Sequence, residues 1–483
     1  AAGDSWTVDS LVNRGTLVLG RPAIRGTVAS VTGDYVQGSG AVLRTQVKDN
    51  THYGQLVVSG TATLPSQARI DVDVANASQP FTVSRLQNVL SAGSLQSDGT
   101  FAVTSNSALF DFGAVKDANT VDLTLSAKST RGVSAAANAA GLSQAKGAAQ
   151  VLDQQLALGS ASALTPYFVS ATSNAEVASS LAQTLPQNND SLRASQAALS
   201  AIGLAVQERM GIANGLLGAD GLANQASFWS KPFSYASGHG GGSQGSVMGM
   251  DTRLSPTSRA GFAFAYANGE NANPQGQSSQ LDLWQFLGYR SYALAPNTEL
   301  MLYAGAGNNT VEGERTLNLA GASGTAKGSY DSVTATVGAS LGHSFQLSEQ
   351  TRLLPALRLD FNHIRDEAYR EHGADSLSPL LLEVDARRSN QLIAGLDGTL
   401  GHQFTPRTAL KLNLGVGYDL INDDGAVRAA FAGAPGQRFT VAGEQASPWL
   451  LRSGAGLATT FSNGAELSVN YDAQTRSDFT DQT

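Results

Sequence analysis

The chain of 483 residues has no cysteine and little charge, with 14% charged side chains and a net charge of −8. The lack of thiols rules out disulfide staples. It also suits a chain that crosses an oxidising compartment unfolded, where free thiols would cross-link prematurely. The acidic balance and the absence of a polybasic tract argue against nucleic-acid binding. No run approaches the ~18 to 20 consecutive apolar residues of a spanning helix, which excludes a helical membrane protein. The start, Ala1-Ala2-Gly3-Asp4, lacks the basic-then-apolar pattern of a secretory signal, so the chain is expected to begin within a longer protein. His52, His239, His343, His363, His372 and His402 are scattered without metal-ligand spacing, so no metal or cofactor is expected.

What the sequence does have is glycine, 52 residues, and a 42% hydrophobic share. These residues are patterned differently in three regions, in keeping with two or three units at this length. Residues 1–126 read as short β segments punctuated by Gly, Asn and Asp: Gly15-Thr16-Leu17-Val18-Leu19, Ala41-Val42-Leu43, Gln55-Leu56-Val57-Val58 and the alternating Ala68-Arg69-Ile70-Asp71-Val72-Asp73-Val74. Short strands with polar corners fit a β-solenoid, whose rungs bury their inner faces only by stacking; a β-sandwich is the alternative. Residues 127–227 turn to Ala, Gln, Ser and Leu. Helices are expected over 136–156 and 174–185, separated by Gly159-Ser160 and Pro166. After Pro186, Leu192, Ala198, Leu199, Ile202, Ala205 and Met210 recur at helical spacing. A helix over 190–213, with Asp190 as N-cap, would extend ~36 Å and could run through a membrane barrel.

From Phe228 the period becomes two. In Leu410-Lys411-Leu412-Asn413-Leu414-Gly415-Val416-Gly417-Tyr418-Asp419-Leu420 every even residue is large and apolar, and every odd one is polar or glycine. Leu467-Ser468-Val469-Asn470-Tyr471-Asp472 and Leu357-Arg358-Leu359-Asp360-Phe361-Asn362 repeat the pattern. One face is expected to meet lipid and the other water, in strands approaching the ~9 to 11 residues of a tilted transmembrane strand. The connections alternate: 239–244, 268–279, 310–327, 365–387 and 423–445 read as moderate or long loops, while 255–256, 293–297, 347–350, 405–407 and 462–464 read as tight turns. Outer-membrane barrels show this asymmetry, and only a closed barrel satisfies strand backbones in hydrocarbon. About eleven segments can be counted, whereas bacterial barrels have even strand numbers. The expectation is a 12-stranded transmembrane β-barrel over 228–483 whose last strand is missing from the chain. Arg358, Asp360, Lys411, Asp419, Glu466 and Asp472 fall on the inferred lumen face and are expected to be solvated or paired with Arg193, Glu208 and Arg209 of the helix.

Two short motifs invite chemistry and are set aside. Gly3-Asp4-Ser5 matches a nucleophile block of one lipase and esterase group over three residues, but without strand-turn-helix context it reads as a β-turn. The glycine-rich stretch 238–245 lacks the Lys-Ser/Thr of a phosphate loop and reads as a surface loop.

Val12-Asn13-Arg14-Gly15-Thr16-Leu17 and the stretch from Gly33-Asp34-Tyr35 to Val58-Ser59-Gly60 resemble the end of an autotransporter (type V secretion) passenger β-helix, the autochaperone region. Leu185-Pro186-Gln187, the following helix, Phe228-Trp229-Ser230-Lys231-Pro232, Gly249-Met250-Asp251 and Ala260 to Tyr266 resemble that family's linker and first barrel strands. The resemblance implies an outer-membrane translocator that anchors the chain and exports its own passenger to the cell surface. Its implied partners are outer-membrane lipid, the barrel assembly machinery and periplasmic chaperones, and it would act as a monomer without enzyme activity in residues 1–483. In one subfamily an asparagine pair in the barrel cyclises to cut the chain. Asn188 and Asn189 are candidates for that cleavage, against the simpler reading of Asn188-Asn189-Asp190 as a helix cap. Alternative functions are a surface adhesin, or the non-catalytic part of an autotransporter subtilisin-like protease or esterase whose catalytic domain lies upstream.

Overall fold

The computed structural model describes residues 5–20, 28–74, 85–129, 131–186, 190–212, 227–237, 241–272, 276–319, 322–443, 447–461, 466–476 and 480–482. Gly3, Asp4, Asn188, Asn189 and His239 lie outside the described residues.

The first region alternates between two parallel sheets. Strands β1 (Ser5–Asn13), β3 (Val28–Gln37), β5 (Gln55–Thr63) and β7 (Arg85–Gln96) pair in one, and β2 (Thr16–Leu19), β4 (Val42–Val47), β6 (Ala68–Val74) and β8 (Phe101–Ser105) in the other. Each turn of chain thus gives one strand to each sheet. The register sets like on like: Leu43 lies between Leu17 and Ile70, Ile70 beside Val103, and Leu56 beside Leu90. Leu43, Ile70, Leu56 and Leu90 are all buried, so stacking supplies the burial that no single turn could. Outside, Asp71 joins neighbouring turns, accepting from Arg44 Nε at 2.6 Å and from Thr104 Oγ1 at 2.7 Å. At one corner Gly33 has φ +131°, and a Cβ on Gly60 would stand 2.7 Å from the Gly33 carbonyl oxygen. Only glycine permits that approach. A hairpin of β9 (Phe110–Asp117) and β10 (Thr120–Ala127) ends the parallel run, with β10 antiparallel to β7.

Among the described residues four α-helices follow: α1 (Gly132–Ala139), α2 (Lys146–Ala157), α3 (Asn174–Thr184) and α4 (Asp190–Ile212). The single helix expected over 136–156 is two. Gly141 at φ +71° lets its N–H bond the Asn138 carbonyl while that of Leu142 bonds Ala137, a glycine C-terminus that stops α1. The buried Asp153 of α2 then accepts from the N–H groups of Val133 and Ser134, holding the start of α1. Ser173 caps α3 through the Glu176 N–H.

The remaining chain is antiparallel: β11 (Ser227–Ser237), β12 (Gly241–Ser255), β13 (Ser258–Ala272), β14 (Gln277–Ala295), β15 (Thr298–Leu319), β16 (Ala322–His343), β17 (Phe345–Gln346), β18 (Thr351–Asp366), β19 (Tyr369–Arg370), β20 (Leu382–Val384), β21 (Arg387–Thr405), β22 (Thr408–Asp419), β23 (Val427–Phe431), β24 (Arg438–Val441), β25 (Trp449–Thr460), β26 (Glu466–Thr475) and β27 (Thr480–Gln482). All but β19, β20, β23 and β24 form one large sheet, which curls until β16 pairs with β18. The alternation faces as expected: Leu414 (64% exposed), Val416, Tyr418 and Leu420 point out, while Gly415, Gly417 and Asp419 are buried.

Three expectations change. The stretches 268–279 and 310–327 are largely strand, with β15 and β16 paired to Leu319 and Ala322. Toward the long-loop ends, polar side chains such as Glu312 and Glu314 are exposed while their backbones go on pairing, so polarity does not mark the strand end. The loops 365–387 and 423–445 are long, yet they carry β19, β20, β23 and β24 as a sheet of their own. Leu377, Leu380 and Phe431 there are completely buried, joining Leu164 and Phe168 of the helical linker in the core that also holds the parallel sheets. Finally, the position expected to be empty is occupied for three residues: β27 pairs with β26 and with β11.

Candidate functional site: the helix-filled lumen

Helix α4 lies inside the curl, and its contacts run around the wall. Ser191 meets Tyr330 of β16 at 3.2 Å, Ser195 accepts from Asn309 Nδ2 of β15 at 2.8 Å, and Gln196 donates to Ser389 of β21 at 3.3 Å. Farther along, Gln207 donates to Asp360 of β18 at 3.0 Å, Glu208 pairs with Lys231 of β11, and Arg209 grips Asp251 of β12 with Nε at 2.7 Å and Nη2 at 3.2 Å.

The two sides of the lumen differ. On β12 to β14 the inward residues Val247, Ala263, Ala265, Leu281, Leu283 and Leu287 are buried against Leu199, Ile202 and Val206 of the helix. This half of the wall therefore meets the helix rather than water, a correction to the expectation of a uniformly wet inner face. On β18 to β26 the wall is polar. Arg358 pairs with Asp360 and donates Nε to Asp397 at 2.8 Å; Asp360 also accepts from Tyr303 at 2.8 Å. These ionised groups are tolerable inside because each is paired or hydrogen-bonded. A cavity of about 160 Å³ separates α4 from this wall, lined by Glu208, Asp397, Lys411, Arg452 and Asp472 among others. Gly203 sits where a Cβ would approach the Tyr303 hydroxyl to 2.8 Å, so the helix touches the wall there without a side chain.

Of the residues singled out in the sequence, Glu208, Arg209, Arg358, Asp360, Lys411 and Asp472 gather around the helix. Their pairing differs from expectation: Arg209 takes Asp251, Glu208 takes Lys231, and Arg358 and Asp360 take each other. Arg193 is half-buried on α4. Asp419 belongs to the rim, where it accepts from the Asn422 N–H at 3.1 Å and faces Arg476 at 3.7 Å. Glu466 begins β26, and its side chain lies outside the described residues. Sequence reasoning missed Asp251, Lys231, Arg259, Tyr289 and Asp397. Asp251 accepts from Arg259 Nη1 at 2.7 Å and from the Tyr289 hydroxyl at 3.3 Å, and Tyr289 in turn accepts from Trp229 Nε1 at 2.7 Å. The available signal was parity: extending the dyad of 410–420 to β12 puts Asp251 on the inner face.

Above the lumen, the linker is fastened to the long loops. Arg315 near the end of β15 is 1% exposed and forks onto Glu371 (Nη2–Oε2 2.5 Å, Nε–Oε1 3.1 Å). The same guanidinium donates to the Gln183 carbonyl at 2.6 Å, at the end of α3, and to the Leu380 carbonyl at 3.1 Å. Tyr167 of the linker donates to the Ser376 carbonyl at 2.8 Å.

The chain is similar in shape to three solved translocators. These are the translocator domain of the autotransporter NalP from Neisseria meningitidis (15% identity, TM-score 0.46, 59% of this chain and 94% of that one), the β-domain of the Bordetella autotransporter BrkA (15%, 0.39, 53% and 96%) and the transport unit of the autotransporter AIDA-I from Escherichia coli (12%, 0.36, 57% and 93%). Among curated proteins none matches. The autotransporter beta-domain family model matches residues 228–472, half of the chain, and the chain therefore belongs to the autotransporter family.

Proposed function

We propose that this protein exports and anchors its own N-terminal region: the curled sheet is a transmembrane translocator, the parallel turns are the membrane-proximal end of a β-solenoid passenger, and α4 is the segment left in the pore. With β17 taken as the continuation of β16 and β27 counted, the ring would have twelve strands, an even number as in single-chain bacterial barrels. The observation that carries the reading is the path of the chain. From the parallel turns it enters the curl at Asp190, contacts opposite walls, and continues to β11 at the tight-turn end. The parallel turns therefore share the side of the long loops, which face outward in such barrels. Stacking of turns upon the folded end nearest the membrane would drive outward movement without ATP. Insertion would rely on the barrel assembly machinery and periplasmic chaperones, with the molecule acting as a monomer and carrying no catalysis of its own.

Because the chain has no cysteine, single introduced thiols report its topology. In intact cells Asp9→Cys on β1 should react with a membrane-impermeant maleimide, whereas Glu349→Cys in the turn after β17 should react only once the outer membrane is permeabilised. Protection of Asp9→Cys in intact cells would end the export reading.

A further inference from the structure

Tyr266 of β13 and Trp284 of β14 pack with ring centroids 4.4 Å apart, and between that pair and the tight turns the described outward positions of β13, β14, β15 and β16 are uncharged except one. The exception is Arg290 of β14, which alternates outward with Trp284, Phe286, Gly288 and Tyr292 and is exposed. A charge among lipid-facing side chains is costly unless it reaches an interface or finds a counter-charge. The Arg290 Nε donates to Ser258 Oγ at 3.1 Å, and the guanidinium lies 4.5 Å over the Tyr292 ring. These contacts use Nε and the face of the group, so the fork of Nη donors is held in a fixed direction.

Beside it the wall is hollow. Ala260, Gly288, Ala304 and Ala339 lie across adjacent strands in register with Arg290, Phe262, Leu302 and Val337 as neighbours. A Cβ on Gly288 would meet open space. The result is an apolar groove of about 580 Å³ over β13 to β18, bounded by Val337, Leu359 and Phe361, with Arg290 in its lining. An apolar trough with one cation matches, in shape and charge, an acyl chain joined to a phosphate. The tight-turn half of the strand, where Arg290 sits, is the periplasmic side of such barrels.

We infer that this groove is a binding site for an anionic phospholipid of the inner leaflet, one acyl chain lying over Gly288 and the phosphate accepting from Arg290. The inference rests on the proposed membrane barrel. It is tested on the full chain, folded in detergent, by native mass spectrometry with added phosphatidylglycerol, with diacylglycerol of the same chains, and with inorganic phosphate. The wild type should retain one phosphatidylglycerol and neither of the others. Arg290→Gln should lower retention about tenfold, the loss of one charge-assisted hydrogen bond. Arg290→Lys should recover part of it, and Gly288→Phe, which fills the trough and leaves the cation, should lower it likewise. Equal retention by wild type and Arg290→Gln, equal retention of diacylglycerol, or a dimer that Gly288→Phe abolishes would each overturn the site. Heat-modifiable mobility is followed in every variant. A wild type lacking it refutes the barrel reading, whereas a heat-modifiable barrel indifferent to residue 290 refutes the lipid site alone.

Discussion

Replacing Arg315 by leucine strands the Glu371 carboxylate, which is 4% exposed and, among the described residues, would keep only the Leu382 N–H as a donor, at 2.8 Å. Removing one partner of a buried pair costs about 3–5 kcal/mol, and the Gln183 and Leu380 carbonyls lose their donor as well. The strain falls on the join between α3, the outward loops and the tip of β15, not on the lumen, where Arg209 and Gln207 keep their partners. The local opening of the linker ahead of α4 should therefore rise by roughly 10² to several times 10³-fold, at about 1.4 kcal/mol per factor of ten. Limited proteolysis of the folded chain in detergent reads this directly, in the regime where cleavage follows the population of the open form. Arg315→Leu should be cut at the end of α3, near Leu185 and Pro186, far faster than wild type, with heat-modifiable mobility retained. The double variant Arg315→Leu, Glu371→Leu should recover much of the resistance, because no lone charge stays buried. Wild-type cleavage rates in the single variant, or a double variant as labile as the single, would refute the reasoning.

Burial pushes the Tyr35 phenol, hydrogen-bonded by Asn13, up to about 12. A raised acid binds its proton more tightly in the folded state, so its contribution is intact below pH ~10 and is lost between ~10 and ~12, by up to roughly 3 kcal/mol. Chemical denaturation of the parallel region against pH should show that decline, and Tyr35→Phe should flatten it. Gly60→Val drives a Cβ into the Gly33 carbonyl and the Asp34 side chain. It should strain the stacked register of β3 and β5 and slow refolding of the parallel turns by roughly two- to tenfold, about half of a cost of some 1–3 kcal/mol being felt in the transition state. Far-ultraviolet circular dichroism during refolding checks this, and an unchanged rate would remove Gly60 from the folding path.

Much of the architecture can be read from the sequence because the lipid belt imposes a strict period. The alternation of Leu410 to Leu420 cannot slip by one residue without turning Asp419 and Lys411 into hydrocarbon. Helix α4, Asp190–Ile212, was legible for a related reason: its apolar spacing is complete from Leu192 to Met210. The interior was less legible. Leu281, Leu283 and Leu287 on the inner face of β14 match no wet lumen. They are explained only once α4 lies against them, a contact between segments far apart in the chain. Pairing suffered likewise: Arg209 had several carboxylates within reach by parity, and the register that chooses Asp251 depends on how deep the helix sits. The outward loops misled because Leu377, Leu380 and Phe431 are apolar residues in stretches read only as long loops. Their runs are too short for a periodicity, and their burial is supplied by the linker helices. Gly141 stops α1 through a backbone conformation that composition alone does not announce.

Three tryptophans measure whether the curled sheet has lipid outside and a helix inside. Trp284 and Trp449 are exposed on the outward face, 48% and 60%, whereas Trp229 is 9% exposed and bonded to Tyr289. In single-tryptophan variants of the chain inserted in bilayers, brominated phospholipid should quench Trp284 and Trp449 strongly and leave Trp229 bright. Quenching of Trp229 to the same degree, or quenching of Trp284 and Trp449 by aqueous acrylamide instead of by the lipid, would contradict that arrangement.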